Sequence, residues 1–364
     1  MPKKYFLIFF LMSCSNEVEQ TISYPQTESQ VLNDFVRSAP VQYINLDEVS
    51  VINIKLTSEN MIYESGGVNI EEYIGKLGPN LIEKDKLYAF ERSDKKIIRM
   101  NLDGKVEKTV ARNGRGPGEV LNAFDMDKSD TIIFVSDVSN SKIHMYDLEF
   151  NHIKSIDGVR AMRVTVNNTF MGHTETFLRG IPTSSGLVNI VKIVSPKDTV
   201  AKVMPKIIPD GFQPGVFNGT NFDINGQNEI AASYSRLPWM SIFDSTFVLE
   251  RTLIFESVDF ENRKLLPLKI HAEGTSGFSA IGYDTIFTNF KYSGEGDLYI
   301  SDPLGIIHLK RRPDRSFEAV KIYKIEYPES HERFLIGNFE IFENGILMGS
   351  SWYHWFRVNL NQYQ

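Results

Sequence analysis

A repeat of about 45 residues constrains the fold of this chain more than any other feature of its sequence. Residues 87–104 and 133–150 follow one template, in which an apolar strand ends in an acidic residue and, after a polar turn, a second strand closes on Asn or Asp followed by Leu. Residues 298–311 repeat the first half of this template, and residues 239–247 and 356–361 repeat the second half. Such self-similarity predicts a repeat architecture built from short strands.

The polar residue that ends the second strand of the template marks each unit, so the units can be counted. The markers are Asn101, Asp147, Asp244 and Asn359. The first two lie 46 residues apart, and each longer interval fits two units, with intermediate units near Ser195 and Lys310 and an insertion at 258–283. A unit of about 45 residues with four strands has the size of a propeller blade. The sequence therefore predicts an all-β, six-bladed β-propeller with four-stranded antiparallel blades over residues 43–364.

The last unit indicates how the ring closes. It contains candidate strands at 334–342, 345–349 and 355–360, so the fourth strand of a complete blade is missing. An incomplete blade would expose a sheet edge that invites aggregation. We therefore expect an N-terminal strand, either 49–56 or 60–64, to join the last blade as its outer strand and close the ring.

The composition narrows the class of protein and its partners. Hydrophobic residues make up 42% and charged residues 23% of the chain, which excludes a disordered, collagen-like or coiled-coil protein. The formal net charge is −7, so no sequence-wide positive field attracts phosphate backbones, and we expect no nucleic-acid partner. The single cysteine, Cys14, rules out a disulfide within the chain.

The first fourteen residues carry signals of export. Lys3 and Lys4 precede an apolar run of eight residues, 5–12, which is too short for a bilayer that needs about 20 residues in a helix. A basic start, a short apolar run and a small residue before the cut are typical of a signal peptide. The segment 11–14, LMSC, resembles a bacterial lipobox, so we expect residues 1–13 to be removed and Cys14 to carry the lipid anchor. A free thiol placed there by chance is the alternative.

Residues 14–42 are predicted to form a polar tether between the lipid and the propeller. They are rich in Ser, Asn, Glu, Gln, Thr and Pro and show little hydrophobic pattern. One apolar cluster, Val31, Leu32, Phe35 and Val36, could form one or two helical turns against the body.

The repeats and one junction resemble a known family. Residues 133–147 look like an NHL-type propeller blade, and Arg112–Glu119, RNGRGPGE, resembles the junction after the first blade of the six-bladed propeller lipoproteins of Bacteroidota. The segment 43–48 and the lipobox also sit where that family places them. The third blade, 160–208, departs from the repeat pattern, and so does the insertion at 258–283. The resemblance implies a fold and a location rather than an activity.

Candidate ligand-binding residues flank the junction at 112–119. Its three glycines and one proline favour a rigid crossover between two blades. The functional interpretation is that Arg112, Arg115 and Glu119 lie near the central face of the ring, where guanidinium and backbone N–H groups could hold a carboxylate or an acidic sugar.

The densest aromatic stretch, 351–356, is a second candidate site. Strand geometry places Trp352, His354 and Phe356 on one face, and packing between blades is the usual role of such residues. The alternative is a platform for a sugar ring at the channel mouth, with Trp239 of the fourth blade as a second stacking surface.

The remaining polar motifs favour structural roles. Asp137 and Asp302 end their strands and are expected to cap turns. His144 and His308 occupy equivalent places in third strands, where repeat packing explains them. Metal-ligand spacings such as HExxH and nucleophile motifs such as GxSxG do not occur, so we expect no metal, no cofactor and no catalytic residue.

These observations predict a non-catalytic binding or scaffold module of the cell envelope. It would act as a monomer and bind a glycan, a peptide or an envelope protein at the channel mouth. By resemblance to bacterial sorting rules, Ser15 favours an outer-membrane lipoprotein, periplasmic or surface-exposed, held only by its lipid. The alternative is an envelope hydrolase or lyase with a metal in the central channel. Convergence of three or more carboxylate, Asn or His side chains on the channel axis would favour this enzyme.

Overall fold

The computed structural model describes most of the region predicted to form the propeller and, before it, the segment 28–33 and the first two residues of the segment 41–45. The described residues are 28–33, 41–45, 50–52, 77–83, 86–101, 105–175, 188–204, 219–234, 237, 239–256, 287–302, 305–326, 336, 338–342, 345–350 and 355–363. These residues form strands and one short 3₁₀ helix, Leu360–Tyr363.

The strands are short and follow one another with tight turns. In chain order they are β1 Glu28–Asn33, β2 Val41–Asn45, β3 Ser50–Ile52, β4 Leu77–Glu83, β5 Lys86–Glu91, β6 Lys96–Asn101, β7 Val106–Ala111, β8 Ala123–Lys128, β9 Ile132–Asp137, β10 Lys142–Asp147, β11 His152–Asp157, β12 Ala161–Val166, β13 Phe170–Glu175, β14 Val188–Lys192, β15 Ser195–Val203, β16 Thr220–Ile224, β17 Ile230–Tyr234, β18 Trp239–Phe243, β19 Leu249–Glu256, β20 Asn289–Tyr292, β21 Leu298–Asp302, β22 Gly305–Arg311, β23 Phe317–Glu326, β24 Asn338–Ile341, β25 Ile346–Ser350 and β26 Trp355–Asn359.

The strands form six sheets, which confirms the predicted six-bladed β-propeller. Blades 1 to 5 each contain four consecutive antiparallel strands, β4–β7, β8–β11, β12–β15, β16–β19 and β20–β23, and blade 6 is built on β24–β26. The first strand of each blade contacts the first strand of the next blade, from β4 to β24. These six first strands are therefore the inner strands of the ring and surround its central channel.

An N-terminal strand completes the last blade, as predicted. β3 pairs antiparallel with β26, with Val51 opposite Phe356, and becomes the outer strand of blade 6. β3 lies inside the first of the two predicted segments, 49–56. The front of the chain therefore supplies the strand that the sixth repeat lacks.

Two further N-terminal strands extend the outer edges of neighbouring blades. β1 pairs in parallel with β19 of blade 4, and β2 pairs in parallel with β23 of blade 5. β1 lies within the segment predicted as a tether, and Val31 and Leu32 belong to it, so the expectation of helical turns there was wrong. An edge strand offers free N–H and C=O groups, which stabilise an extended segment better than an isolated helical turn.

Hydrophobic side chains fill the gaps between adjacent blades. Six clusters of buried residues occur in the described part of the chain, each shared by two neighbouring blades. Between blades 6 and 1, Met348 packs with Leu87 and Ile98, so the ring is closed by core packing as well as by β3. Each fully buried Leu, Ile, Phe or Met side chain contributes about 1.5–3 kcal/mol relative to exposure.

The described residues include no helix with the length and apolar character needed to cross a membrane.

Candidate functional site

A polar cavity lies in the central channel, where inner strands of five blades meet. Six of the side chains that line it are charged or carry an amide: Asp125 from β8, Arg163 from β12, Asn221 from β16, Asn289 and Lys291 from β20, and Glu340 from β24. Because alternate residues of a strand face the same side, each inner strand can direct two polar side chains to the channel while its other residues pack between blades.

Lys291 occupies the hub of this cavity, among carboxylates of three other blades. Its ammonium Nζ lies 3.1 Å from Glu340 Oε1, 3.5 Å from Asp127 Oδ1 and 3.9 Å from Asp223 Oδ1. Burial by itself would lower the pKa of Lys291, but Asp127, Glu340 and Asp223 together raise this pKa well above its usual value. The hub lysine is therefore charged at any physiological pH.

The carboxylates around Lys291 carry more negative charge than one ammonium can neutralise. Burial raises the pKa of Asp223 and of Glu340, and Lys291 opposes this rise. Neighbouring carboxylates add to it, since Asp127 raises the pKa of both groups. The carboxylates of Asp223 and Glu340 therefore depend on the ammonium of Lys291 to stay ionised.

The carboxylates of β8 also join blade 2 to blade 3. The backbone N–H of Val164 donates to Asp125 Oδ2 at 2.9 Å, and that of Val166 donates to Asp127 Oδ2 at 2.8 Å. Inner strands of neighbouring blades belong to different sheets, so N–H groups between them need acceptors other than strand carbonyls. Asp at alternate positions of β8 meets this need.

Asp223 performs the same role on both sides of blade 4. Its Oδ1 accepts a hydrogen bond from Thr165 Oγ1 of blade 3 at 2.9 Å, and its Oδ2 accepts one from the Tyr292 N–H of blade 5 at 2.8 Å. Blades 3, 4 and 5 are thus connected through one buried carboxylate next to Lys291.

Asp125 and Arg163 are the charged residues of the cavity that lie outside the lysine cluster. Burial raises the pKa of Asp125 to about 6, although nearby Arg163 opposes the shift. Within the described residues, the Arg163 guanidinium makes one hydrogen bond, from Nη2 to the Thr288 carbonyl at 3.4 Å, and no ion pair. This arginine keeps donors available inside the cavity.

The carboxylates thus converge on an ammonium group. In the described part of the chain, no three His, Cys, Asp or Glu side chains are arranged to hold a metal ion. The enzyme alternative requires a metal ion in the channel. At the point where the carboxylates of Asp127, Asp223 and Glu340 meet, the positive charge is the Nζ of Lys291.

The predicted junction site is a self-contained turn between β7 and β8. The Gly116 N–H donates to Glu119 Oε2 at 2.7 Å, and the Val120 N–H donates to the Arg112 carbonyl at 2.9 Å. The Arg112 and Arg115 side chains are exposed, and neither they nor Glu119 line the cavity. The geometry matches the crossover interpretation, with Glu119 used inside the turn.

Of the candidates for a stacking platform, Trp239 lies within the described residues. Trp239 is only 1% exposed and packs in the core between blades 3 and 4, with its ring centroid 6.4 Å from that of Tyr234. A buried indole offers no stacking surface, so the predicted role of Trp239 at the channel mouth has to be corrected to interblade packing. Trp352, His354 and Cys14 lie outside the described residues.

Other predicted structural residues take the expected roles. Asp137 caps the turn after β9 by accepting a hydrogen bond from the Asn140 N–H at 3.1 Å, and it also accepts one from the N–H of Leu121, which precedes β8, at 2.7 Å. His144 lies in the third strand of blade 2 and His308 in that of blade 5, as the repeat predicts. The side chain of Asp302 is outside what the structure describes.

The cavity residues carry a sequence signal, although they form no recognised motif. Polar residues alternate with apolar ones in the first strand of successive blades, as Asp125 and Asp127, Arg163 and Thr165, Asn221 and Asp223, and Asn289 and Lys291. Alternation in a strand also occurs wherever one face meets solvent, so it indicates a channel only once the strand is known to be the innermost one.

Comparison with known proteins supports the fold. Residues 71–169 match the model of a family described as a 6-bladed beta-propeller. The structure is similar to that of a candidate exported protein from Bacteroides fragilis, with 12% sequence identity, a TM-score of 0.51 and 88% of each chain covered. The predicted resemblance to six-bladed propellers of Bacteroidota is thereby confirmed, and the lipid anchor stays a prediction. No curated protein matches the chain.

Two other solved structures are similar at lower scores. A member of the DUF4221 family from Bacteroides vulgatus has 10% identity and a TM-score of 0.46, with 78% of this chain and 92% of that chain covered. Virginiamycin B lyase from Staphylococcus aureus, solved as an inactive variant with quinupristin, has 9% identity and a TM-score of 0.47, with 85% and 94% covered. At such identities the similarity concerns the fold alone.

The junction turn gives a test of its structural role. A Cβ at Gly114 would lie 2.0 Å from Glu119 Oε2, so Gly114→Ala must push this carboxylate off the Gly116 N–H. We expect a loss of about 1–3 kcal/mol in unfolding free energy, measured by urea denaturation. In a Glu119→Ala background the same change should cost much less, because the carboxylate is gone.

Gly226→Ala is the matched control, since a Cβ there meets no atom within 4 Å. Equal losses for Gly114→Ala in both backgrounds would contradict the proposed contact.

Proposed function

We propose that this chain is a non-catalytic binding module of the cell envelope whose ligand binds at the mouth of the central channel, beside its polar cavity. The observation that carries the proposal is the cavity itself, where charged side chains with remaining hydrogen-bonding capacity project from rigid inner strands. Recognition sites on such strands are positioned more precisely than sites on loops. We propose that the chain acts as a monomer.

The partner classes are a glycan, a peptide or an exposed segment of an envelope protein. Each presents donors and acceptors that Asp125, Arg163 and Glu340 can satisfy. The negative net charge argues against a nucleic-acid partner.

The second candidate function is an envelope hydrolase or lyase with a metal in the channel. Carboxylates from three blades, those of Asp127, Asp223 and Glu340, approach one point of the channel, which is the observation closest to this alternative. Among the described residues, however, they are not arranged to hold a metal ion. The ammonium of Lys291 at that point favours the binding module, since it supplies a positive charge from within the chain.

The binding proposal can be tested by capture of envelope glycans and peptides on the chain from residue 15 onward, which retains every described strand. Arg163→Gln should abolish capture of the specific ligand, because a cavity donor is lost, whereas Arg115→Ala should leave it unchanged. Thermal unfolding of both variants verifies that they fold. Capture that needs Arg115 and survives Arg163→Gln would place the site on the junction turn and overturn the proposal.

We also propose that Cys14 anchors the protein to a membrane through its lipid, with outer-membrane sorting favoured by Ser15. Support comes from the lipobox-like segment 11–14 and from the exported character stated for the Bacteroides fragilis protein. Cys14→Ala should move the protein from the membrane pellet to the soluble fraction, because the acylated residue is lost. Membrane fractionation measures this, and a variant that stays in the pellet would contradict the anchor.

A further inference from the structure

Two histidines share one serine hydroxyl on the face of blade 2 that turns toward blade 1. Strands β10 and β11 pair with His144 opposite Ser155 and Tyr146 opposite His152, and such cross-strand neighbours project from the same face of a sheet. Tyr146 identifies this face, because it packs in the core cluster between blades 1 and 2. Ser155 Oγ lies 3.0 Å from His144 Nδ1 and 2.9 Å from His152 Nε2.

The shared hydroxyl determines how protons are arranged in this bridge. A serine hydroxyl has one proton, so it donates to one imidazole and accepts from the other. Asp137 Oδ2 lies 3.7 Å from His144 Nε2, and this carboxylate favours the tautomer with the proton on Nε2. His144 Nδ1 then accepts from Ser155, and Ser155 accepts from His152 Nε2–H. Both imidazoles are neutral in this arrangement.

The junction turn, residues 112–119, rests on the same side chains. Tyr146 Oη donates to the Gly118 carbonyl at 3.1 Å. A Cβ at Gly118 would lie 2.7 Å from the Cβ of His152, so the backbone of the turn is in contact with this histidine. The protonation state of His152 therefore acts directly on the packing of the turn.

A proton on His152 would bring a charge into surroundings that do not compensate it. The rings of His144 and Tyr146 have their centroids 5.9 Å and 5.6 Å from that of His152, and the junction turn presents the backbone of Gly118. Burial lowers the pKa of His152, and the nearby His144 and Lys142 lower this pKa further.

The carboxylates of this region are bound to other groups. Asp137 accepts from the Leu121 N–H at 2.7 Å, Asp147 accepts from the Asn151 N–H at 2.8 Å, Asp157 pairs with Lys142 at 3.4 Å, Glu149 pairs with Arg99 at 3.7 Å, and Glu119 accepts from the Gly116 N–H at 2.7 Å. Within the described residues none of these carboxylates forms an ion pair with His152.

We propose that His152 is a pH-sensitive switch of the junction turn: the neutral ring supports the turn, and protonation releases the turn together with the adjacent part of β11. This switch is independent of the ligand at the channel mouth. A histidine whose pKa is lower in the folded than in the unfolded chain stabilises the fold above the ordinary value of about 6.5 and loses this contribution as the pH falls. Asp223 and Glu340 have the opposite sign, because their pKa values are raised.

The test measures local opening and the titration of His152 in the same protein. The Cys14→Ala chain, otherwise complete, is followed by amide hydrogen exchange between pH 7.5 and pH 5, with rates corrected for the intrinsic effect of pH. Relative to β18, protection of residues 112–122 and of β11 should fall about threefold, as expected for one like-charge contact between neighbouring strands. The midpoint should coincide with the pKa of His152, measured by NMR of its ring protons.

His152→Gln keeps an N–H donor for Ser155 but cannot titrate, so it should abolish the pH response of blade 2. His308→Gln is the matched control, because His308 lies in the third strand of blade 5 and contacts Asp297 at 2.8 Å. It should leave the response of blade 2 unchanged, and thermal unfolding at pH 7.5 verifies that both variants fold.

Three results would overturn the proposal. They are equal protection at both ends of the pH range, an opening whose midpoint differs from the pKa of His152, and a response that persists in His152→Gln. If His152→Gln fails to fold, the comparison of the two midpoints in the parent chain decides alone.

Discussion

The channel depends on the ion pairs between the ammonium group of Lys291 and carboxylates of three other blades. A propeller brings its inner strands close without pairing them, so polar groups between these strands need partners from side chains. Asp127 and Asp223 meet this need by accepting backbone N–H groups of neighbouring blades, and Lys291 compensates the resulting charge. Lys291 and the carboxylates around it therefore hold the inner strands together beside the cavity.

The same arrangement explains why a binding site can exist there. Side chains engaged in the lysine cluster are held by their ion pairs. Asp125 and Arg163 lie beside this cluster and keep hydrogen-bonding groups that no described residue uses. Burial raises the pKa of Asp125 to about 6, so keeping this carboxylate ionised at neutral pH costs stability. Groups held at such a cost occur often at functional sites.

The sequence predicted the ring well and the site poorly, for physical reasons. Repeats such as 87–104 and 133–150 reveal blades because each must bury the same faces against its neighbours. Trp239 was assigned to the channel because aromatic residues serve both packing and stacking, and only the blade geometry distinguishes the two roles. The partners of β1 lie more than two hundred residues away, at Arg251–Glu256, which no local pattern can indicate.

The central claim is tested most directly by the unfolding free energy of Lys291→Met at pH 8 and pH 5. Without the ammonium, the pKa values of Asp223 and Glu340 should rise, so the folded variant takes up protons as the pH falls and regains stability. We predict a loss of about 3–5 kcal/mol at pH 8 and a clearly smaller loss at pH 5. Lys142→Met, which removes a surface ion pair with Asp157, should lose less than about 1 kcal/mol at both values. A Lys291→Met variant as stable as the parent, or one with the same loss at both pH values, would contradict the account.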